Sequence, residues 1–122
     1  MTEAKKKVLV VDDERAILTV LGIKLRISGY DVLTASNGQQ ALALIESAGP
    51  DLILLDVIMP GMDGFEVLEK VRAASKLPVI VFSARPENAQ KALSLGANEF
   101  LPKPLDVDEM VGKIGQLLGR KN

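Results

Sequence analysis

The sequence predicts an α/β fold in which one parallel sheet carries helices on both faces. Three observations predict it. The runs at 8–11, 52–55 and 79–82 are continuously apolar and rich in Val, Ile and Leu, as strands are when both of their faces are buried. Segments with apolar residues at helical spacing lie between successive runs. Strand-like and helix-like segments alternate five times with short joins, the pattern of a sheet wound by crossover helices. Right-handed crossovers then make every strand point the same way, and ligands bind beyond the carboxyl ends, where the winding direction switches.

The elements follow in order. The first strand is the run at 8–11, and the first helix buries Ile17, Leu18, Leu21 and Leu25 before ending at Gly29. The second strand is 32–35. Its helix begins near Asn37, carries Ala41, Leu42, Leu44 and Ile45, and stops at Gly49-Pro50. The third strand is 52–55, and the helix after Asp63 buries Phe65, Leu68 and Val71. The fourth strand is 79–82, with a helix expected over about 86–95, Pro86 at its start and Gly96 beyond its end. The fifth strand, 100–101, is weak by itself. The last helix opens on Asp106-Val107-Asp108-Glu109, a capping-box-like signal, and continues through Met110, Val111, Ile114, Leu117 and Leu118. Gly112 and Gly115 each weaken it by about 1 kcal/mol relative to Ala, so it relies on docking.

Composition narrows the function. A chain of 122 residues fits one domain, residues 1–122, and at this size roughly two-thirds of the unfolded surface is buried. Fifteen basic residues against sixteen acidic ones give no footprint for nucleic acid or membrane, and Lys5-Lys6-Lys7 reads as a solvated tail. With no Cys and no His, thiol chemistry, histidine metal sites and histidine phosphorylation within the chain are excluded. No apolar run approaches the ~20 residues of a membrane helix, and the start of the chain lacks a signal-peptide pattern. A soluble, cytoplasmic protein is expected.

The residues that carry chemistry stand at the predicted carboxyl ends: Asp12-Asp13-Glu14 after the first run, Asp56 after the third, Ser83 after the fourth and Lys103 after the fifth. Each has an ordinary reading. Asp and Ser cap helices, Glu14 reads as a first-turn charge near a helix dipole, and Lys103 alone would be a surface lysine. One cap explains one of Asp12 and Asp13, not both. Asp56 is not needed as a cap, because Met59-Pro60-Gly61 and Asp63 already supply the turn and the next helix start. Joint placement at successive strand ends favours a site. Three crowded carboxylates call for a cation, and an all-oxygen donor set suits Mg²⁺ or Mn²⁺ rather than zinc. A carboxylate can also accept a phosphoryl group. Lys103, the metal and the Ser83 hydroxyl are suited to neutralise that group's oxygens. Asp56 is the expected nucleophile.

The segments "VLVVDDE", "DLILLDVIMPGMDG", "PVIVFSA" and "FLPKP" resemble, in order and approximate spacing, the receiver domain of two-component response regulators. The resemblance spans nearly the whole chain. It implies a CheY-like, flavodoxin-like (βα)5 three-layer sandwich with strand order 2-1-3-4-5, which periodicity alone does not fix. It implies that Asp56 takes a phosphoryl group from a partner histidine kinase or histidine phosphotransfer protein. Asp13, Asp56 and the backbone carbonyl of Ile58 would hold Mg²⁺, with Asp12 acting through water. Lys103 would contact the phosphoryl group. Ser83, where Thr is commoner, would follow it on activation, with Phe100 as its switch partner. A downstream protein would read the face of the fourth helix, fifth strand and fifth helix. Ile58 and Arg85 stand where relatives tune dephosphorylation, Ala84 leaves the donor path open, and the Lys103-Pro104 bond is commonly cis in the family.

The chain would catalyse only transfer to its own Asp56 and the later hydrolysis. No G-x-x-x-x-G-K pattern supports direct use of ATP. Too few residues follow Leu118 for an output domain, so a single-domain regulator is expected, with a receiver from a longer chain as the alternative. Two rivals share parts of the pattern. A Mg²⁺-dependent phosphatase of the haloacid-dehalogenase type also gathers Asp, Ser and Lys at strand ends, but its Asp-x-Asp nucleophile motif does not match Asp12-Asp13-Glu14. A degenerate receiver acting only as a binding module would not need Asp13, Asp56 and Lys103.

Overall fold

The computed structural model describes residues 5–59, 61 and 63–119. Five strands and five helices alternate: β1 (Lys7–Val11), α1 (Arg15–Ile27), β2 (Asp31–Ala35), α2 (Gly38–Ala48), β3 (Leu52–Asp56), α3 (Gly64–Ala74), β4 (Val79–Ser83), α4 (Asn88–Ser94), β5 (Glu99–Pro102) and α5 (Val107–Leu117). The strands form one parallel sheet in the order β2-β1-β3-β4-β5. The winding reverses between β1 and β3, which opens a crevice above their carboxyl ends.

The apolar strands are continuous because each face meets helices. Leu9, Val11, Ile53, Leu55, Val79 and Val81 pack with Ala41 of α2, Phe65, Leu68 and Val71 of α3 and Ala92 of α4. The alternate residues Val8, Val10, Leu52, Leu54, Ile80 and Phe82 pack with Leu21 and Leu25 of α1 and Met110 and Ile114 of α5. Period-two side chains of a strand divide in this way between two cores. β3 and β4 are buried along their whole length, so Asp56 and Ser83 are carried on the most enclosed strands of the sheet.

Helix starts follow the sequence signals. Asn37, Asp63 and Asp106 each accept a hydrogen bond from the backbone N–H three residues on, closing α2, α3 and α5. Gly29 and Gly49, with φ of 98° and 58°, end α1 and α2 in the left-handed region that favours glycine. Two expectations are corrected. α4 begins at Asn88, because Pro86 and Glu87 form a turn in which Arg85 and Pro86 carbonyls accept from the Asn88 and Ala89 amides. Glu14 is the residue preceding α1, in extended conformation, rather than a member of its first turn. Pro60, part of the turn expected after β3, lies outside the described residues.

Arg72 ties the bottom of the sheet together. Its guanidinium donates to the Gly96 carbonyl (2.8 Å), the Leu77 carbonyl (2.7 Å) and Asn98 Oδ1 (2.8 Å), and Asn98 Oδ1 also accepts from the Val79 amide. The network joins the end of α3 to the starts of β4 and β5. Burial lowers the pKa of Arg72 without discharging it. Replacing Arg72 with Ala strands two part-buried carbonyls and is expected to cost about 2–4 kcal/mol. Urea unfolding should show a lower midpoint with an unchanged slope.

Candidate functional site

The strand ends deliver the predicted residues to one place. Asp12 follows β1 and is fully buried, Asp56 closes β3 at 3% exposure, and Asp13 is exposed at the mouth. Carboxylate oxygens of Asp12, Asp13 and Asp56 all lie within 4.8 Å of one another. Asp12 Oδ1 accepts from the Glu14 amide (2.8 Å) and Asp56 Oδ1 from the Ile58 amide (2.9 Å), so each loop folds over its own carboxylate. Lys103 reaches across from the end of β5. Its Nζ donates to Asp12 Oδ2 (3.0 Å) and Asp56 Oδ2 (3.2 Å), and stands 3.7 Å from Glu14. The ammonium also lies 5.1 Å from the ring centroid of Phe82, which is paired in register with Asp56. The Lys103-Pro104 peptide is cis.

Burial governs the charges. Loss of solvent pushes the Asp12 carboxyl up to about 6. The Glu14 amide and the Lys103 hydrogen bond oppose that rise, while Asp56 adds to it. Asp56 is also raised by burial, against the Ile58 amide and Lys103. Burial works to discharge Lys103, yet its hydrogen bond to Asp12 and the charge of Asp56 outweigh it and hold the ammonium more firmly protonated. One ammonium thus stands among four carboxylates, those of Asp12, Asp13, Glu14 and Asp56. The oxygen donor set and its 4.8 Å span fit a hard divalent cation, whose oxygen ligands lie at about 2.0–2.6 Å.

Ser83 is brought to the same edge but makes different bonds. It is fully buried, and its Oγ accepts from the Arg85 amide (3.0 Å) and from Asn88 Nδ2 (3.1 Å). Phe100 is half-buried and packs against the core beneath α2, α3 and α4. Ile58 is 43% exposed and Arg85 is exposed; both line an open groove with Asp63, Asn88 and Lys91. Two contributors escaped the sequence reading. Asn88 is one. Gly64 is the other: a Cβ there would stand 2.4 Å from the Asp56 carbonyl oxygen and from Val57 Cα, so only glycine lets α3 start this close to the end of β3. The Asp63-Gly64 pair, a cap followed by glycine, was the available signal.

A doubly wound sheet with carboxylates from two strand ends bridged by a lysine from a third defines a CheY-like α/β domain. Comparison with known proteins gives the family. The model of the response regulator receiver domain matches residues 8–115, and the chain belongs to that family. It is 42% identical over 118 residues to the alkaline phosphatase synthesis transcriptional regulatory protein PhoP of Bacillus subtilis (strain 168), covering 94% of this chain and 49% of the relative. The chain thus spans about half the length of that relative. Among solved structures it is similar to the Francisella response regulator 1452 receiver domain, with TM-score 0.89 and 34% identity over 94% of this chain and 98% of that one. It is likewise similar to response regulator protein TrrA of Thermotoga maritima, solved in complex with Mg²⁺-BeF, with TM-score 0.85 and 35% identity over 92% and 98% of the two chains. The chain is a receiver domain of two-component response regulators, and the phosphatase reading is set aside. Among the described residues no helix is long and apolar enough to cross a membrane.

The raised Asp12 carboxyl carries a pH dependence. Between its ordinary 3.8 and about 6 the folded state binds more protons than the unfolded one. Stability from this group is therefore complete below about pH 4 and lost as pH rises through about 6. In metal-free buffer Asp12→Asn should be more stable than wild type by about 1–3 kcal/mol near pH 7.5, with the gap closing near pH 4. Urea unfolding in EDTA at the two pH values measures it.

Proposed function

We propose that Asp56 accepts a phosphoryl group from a phosphohistidine on a partner histidine kinase or histidine phosphotransfer protein. The observation that carries this reading is Lys103 shared between Asp12 and Asp56 at the β1/β3 switch point, with Asp13 beside them. In the transfer, a carboxylate oxygen of Asp56 bonds to phosphorus as the phosphorus–nitrogen bond breaks, and the imidazole nitrogen leaves with the electron pair. Lys103 neutralises the phosphoryl oxygens as they turn away from the donor. Asp13, Asp56 and the Ile58 carbonyl would hold Mg²⁺, or Mn²⁺ in its place, with Asp12 acting through water, and the ion would supply charge neutralisation at the phosphoryl oxygens. Beyond this transfer and the slow hydrolysis of its own product, the domain turns over no substrate. Ile58 and Arg85 flank the site without a carboxylate or amide to orient water, which prolongs the phosphoryl lifetime.

A protein donor suits the surroundings. An apolar hollow of about 290 Å³, lined by Ile17, Val20, Leu21, Pro104 and Leu105, opens directly beside Lys103, and Val20 on its rim is exposed. The output runs to the other side of the sheet. Phosphorylation adds about −1.5 to −2 charge, and Ser83 turns toward it for a charge-assisted hydrogen bond. Val81, two residues before Ser83, is paired in register with Phe100 on the α4 side of the sheet, which supports Phe100 moving into the space Ser83 leaves. A downstream protein then distinguishes the two states at the α4–β5–α5 face. Residues 1–122 act as one receiver unit. The transcriptional role in the relative's name belongs to that protein; the near-neutral charge of this segment favours protein contacts over nucleic acid.

Asp56→Asn should abolish acid-labile phosphate incorporation from acetyl phosphate with Mg²⁺, while the circular dichroism spectrum stays that of wild type. Mass spectrometry of both proteins reads the result, and undiminished labelling of the variant would contradict the assignment.

A further inference from the structure

Ser83 is restrained, and the restraint comes from α4. Its Oγ accepts two hydrogen bonds, from the Arg85 amide at 3.0 Å and Asn88 Nδ2 at 3.1 Å. Two acceptor bonds fill the two lone pairs of a hydroxyl. The first bond is a local turn. The second crosses from the end of β4 to the first residue of α4.

The helix that supplies Asn88 is held at few points. α4 has seven residues, and its Glu87 cap position makes no side-chain capping bond, whereas α2, α3 and α5 are closed by Asn37, Asp63 and Asp106. Among the described residues its side-chain ties to other elements are the Asn88–Ser83 bond and the Lys91 ammonium 4.3 Å from the Phe65 ring centroid, beside backbone bonds to the turns at either end. Asn88 is half-buried and lines the groove with Ile58 and Arg85, so its amide is positioned by the site rather than by open solvent.

We propose that Asn88 is a latch: a positioning residue that holds the Ser83 hydroxyl in its resting orientation and links its movement to the first turn of α4. This rests on the reading of Asp56 as phosphoryl acceptor and Ser83 as the hydroxyl that follows the phosphoryl group. For Ser83 to turn, the Asn88 bond must break, and α4 loses its side-chain tie to β4 in the same event. The bond thus sets a threshold against activation without phosphate. It also passes the signal to α4 by a route separate from Phe100. A two-state element biased by one hydrogen bond shifts population by the free energy of that bond and no more.

The test uses beryllofluoride with Mg²⁺ as the phosphoryl mimic, read by fluorine NMR of the bound species. Removing the latch lowers the threshold, so Asn88→Ala should bind beryllofluoride about two- to tenfold more tightly than wild type. In a Ser83→Ala background the same substitution should have no effect, because the bond it removes is already gone. Unchanged or weaker binding by Asn88→Ala, or an equal gain in the Ser83→Ala background, overturns the latch. A second measurement needs no variant: the Asn88 side-chain amide resonances of wild type should shift on saturation while those of Asn37 stay in place. Unmoved Asn88 resonances in a saturated sample overturn the proposal even if Asn88→Ala fails to fold. Wild type that takes up no beryllofluoride would instead overturn the reading of Asp56, and the latch with it.

Discussion

The ammonium of Lys103, shared by Asp12 and Asp56, is the interaction on which the site depends. Two unit charges at 4.8 Å repel by roughly 3.5 kcal/mol at an effective dielectric near 20, and the site assembles three carboxylates within that span. Lys103 offsets part of this and leaves the rest as a standing demand for positive charge. Burial sharpens the demand by removing water from Asp12 and Asp56. The cost in stability and the capacity for chemistry have the same origin, since a group that is expensive to keep charged responds strongly to a new charge beside it.

The architecture exists to hold that arrangement still. β1, β3 and β5 carry the charged groups, and the first two are central strands sealed by apolar side chains on both faces. Gly64 lets α3 begin against the end of β3, and the Glu14 and Ile58 amides fix one oxygen of each buried carboxylate. The Ser83 side is built differently. Its hydroxyl is held by a turn and by one side chain of a seven-residue helix. On the proposed reading, the charge cluster holds its geometry for the chemistry while the Ser83–α4 side moves to report it.

Much of this was legible in the sequence. Unbroken apolar runs marked β1, β3 and β4 because strands buried on both faces lose their alternation. Asn37, Asp63 and Asp106 marked helix starts because capping is a local bond. Asp12, Asp13, Asp56 and Lys103 were legible as a cluster because parallel strands place their carboxyl ends at one edge. Strand order was not legible from periodicity, which identifies a strand without naming its neighbours; it followed from the family resemblance. The start of α4 was misplaced because Pro86 suits the first turn of a helix and a tight turn equally well. Arg72, Asn98, Gly64 and Asn88 stayed hidden for one reason. Their roles are set by backbone atoms or side chains that arrive from elsewhere in the fold, and only Gly64, behind the Asp63 cap, had a local signal.

The central claim is that crowded carboxylates, under-neutralised by Lys103, form a site for a hard divalent cation. Titration of the unphosphorylated protein with Mg²⁺, following amide resonances and the urea midpoint together, tests it most directly. The predicted result is a set of shifts concentrated at Asp12, Asp13, Asp56 and Ile58. Stabilisation should reach about 1.4 kcal/mol at ten times the dissociation constant, and both effects should be largely lost in Asp13→Asn. Shifts scattered over the surface with no gain in stability up to about 20 mM Mg²⁺, well beyond ordinary free-cation levels, would contradict the account.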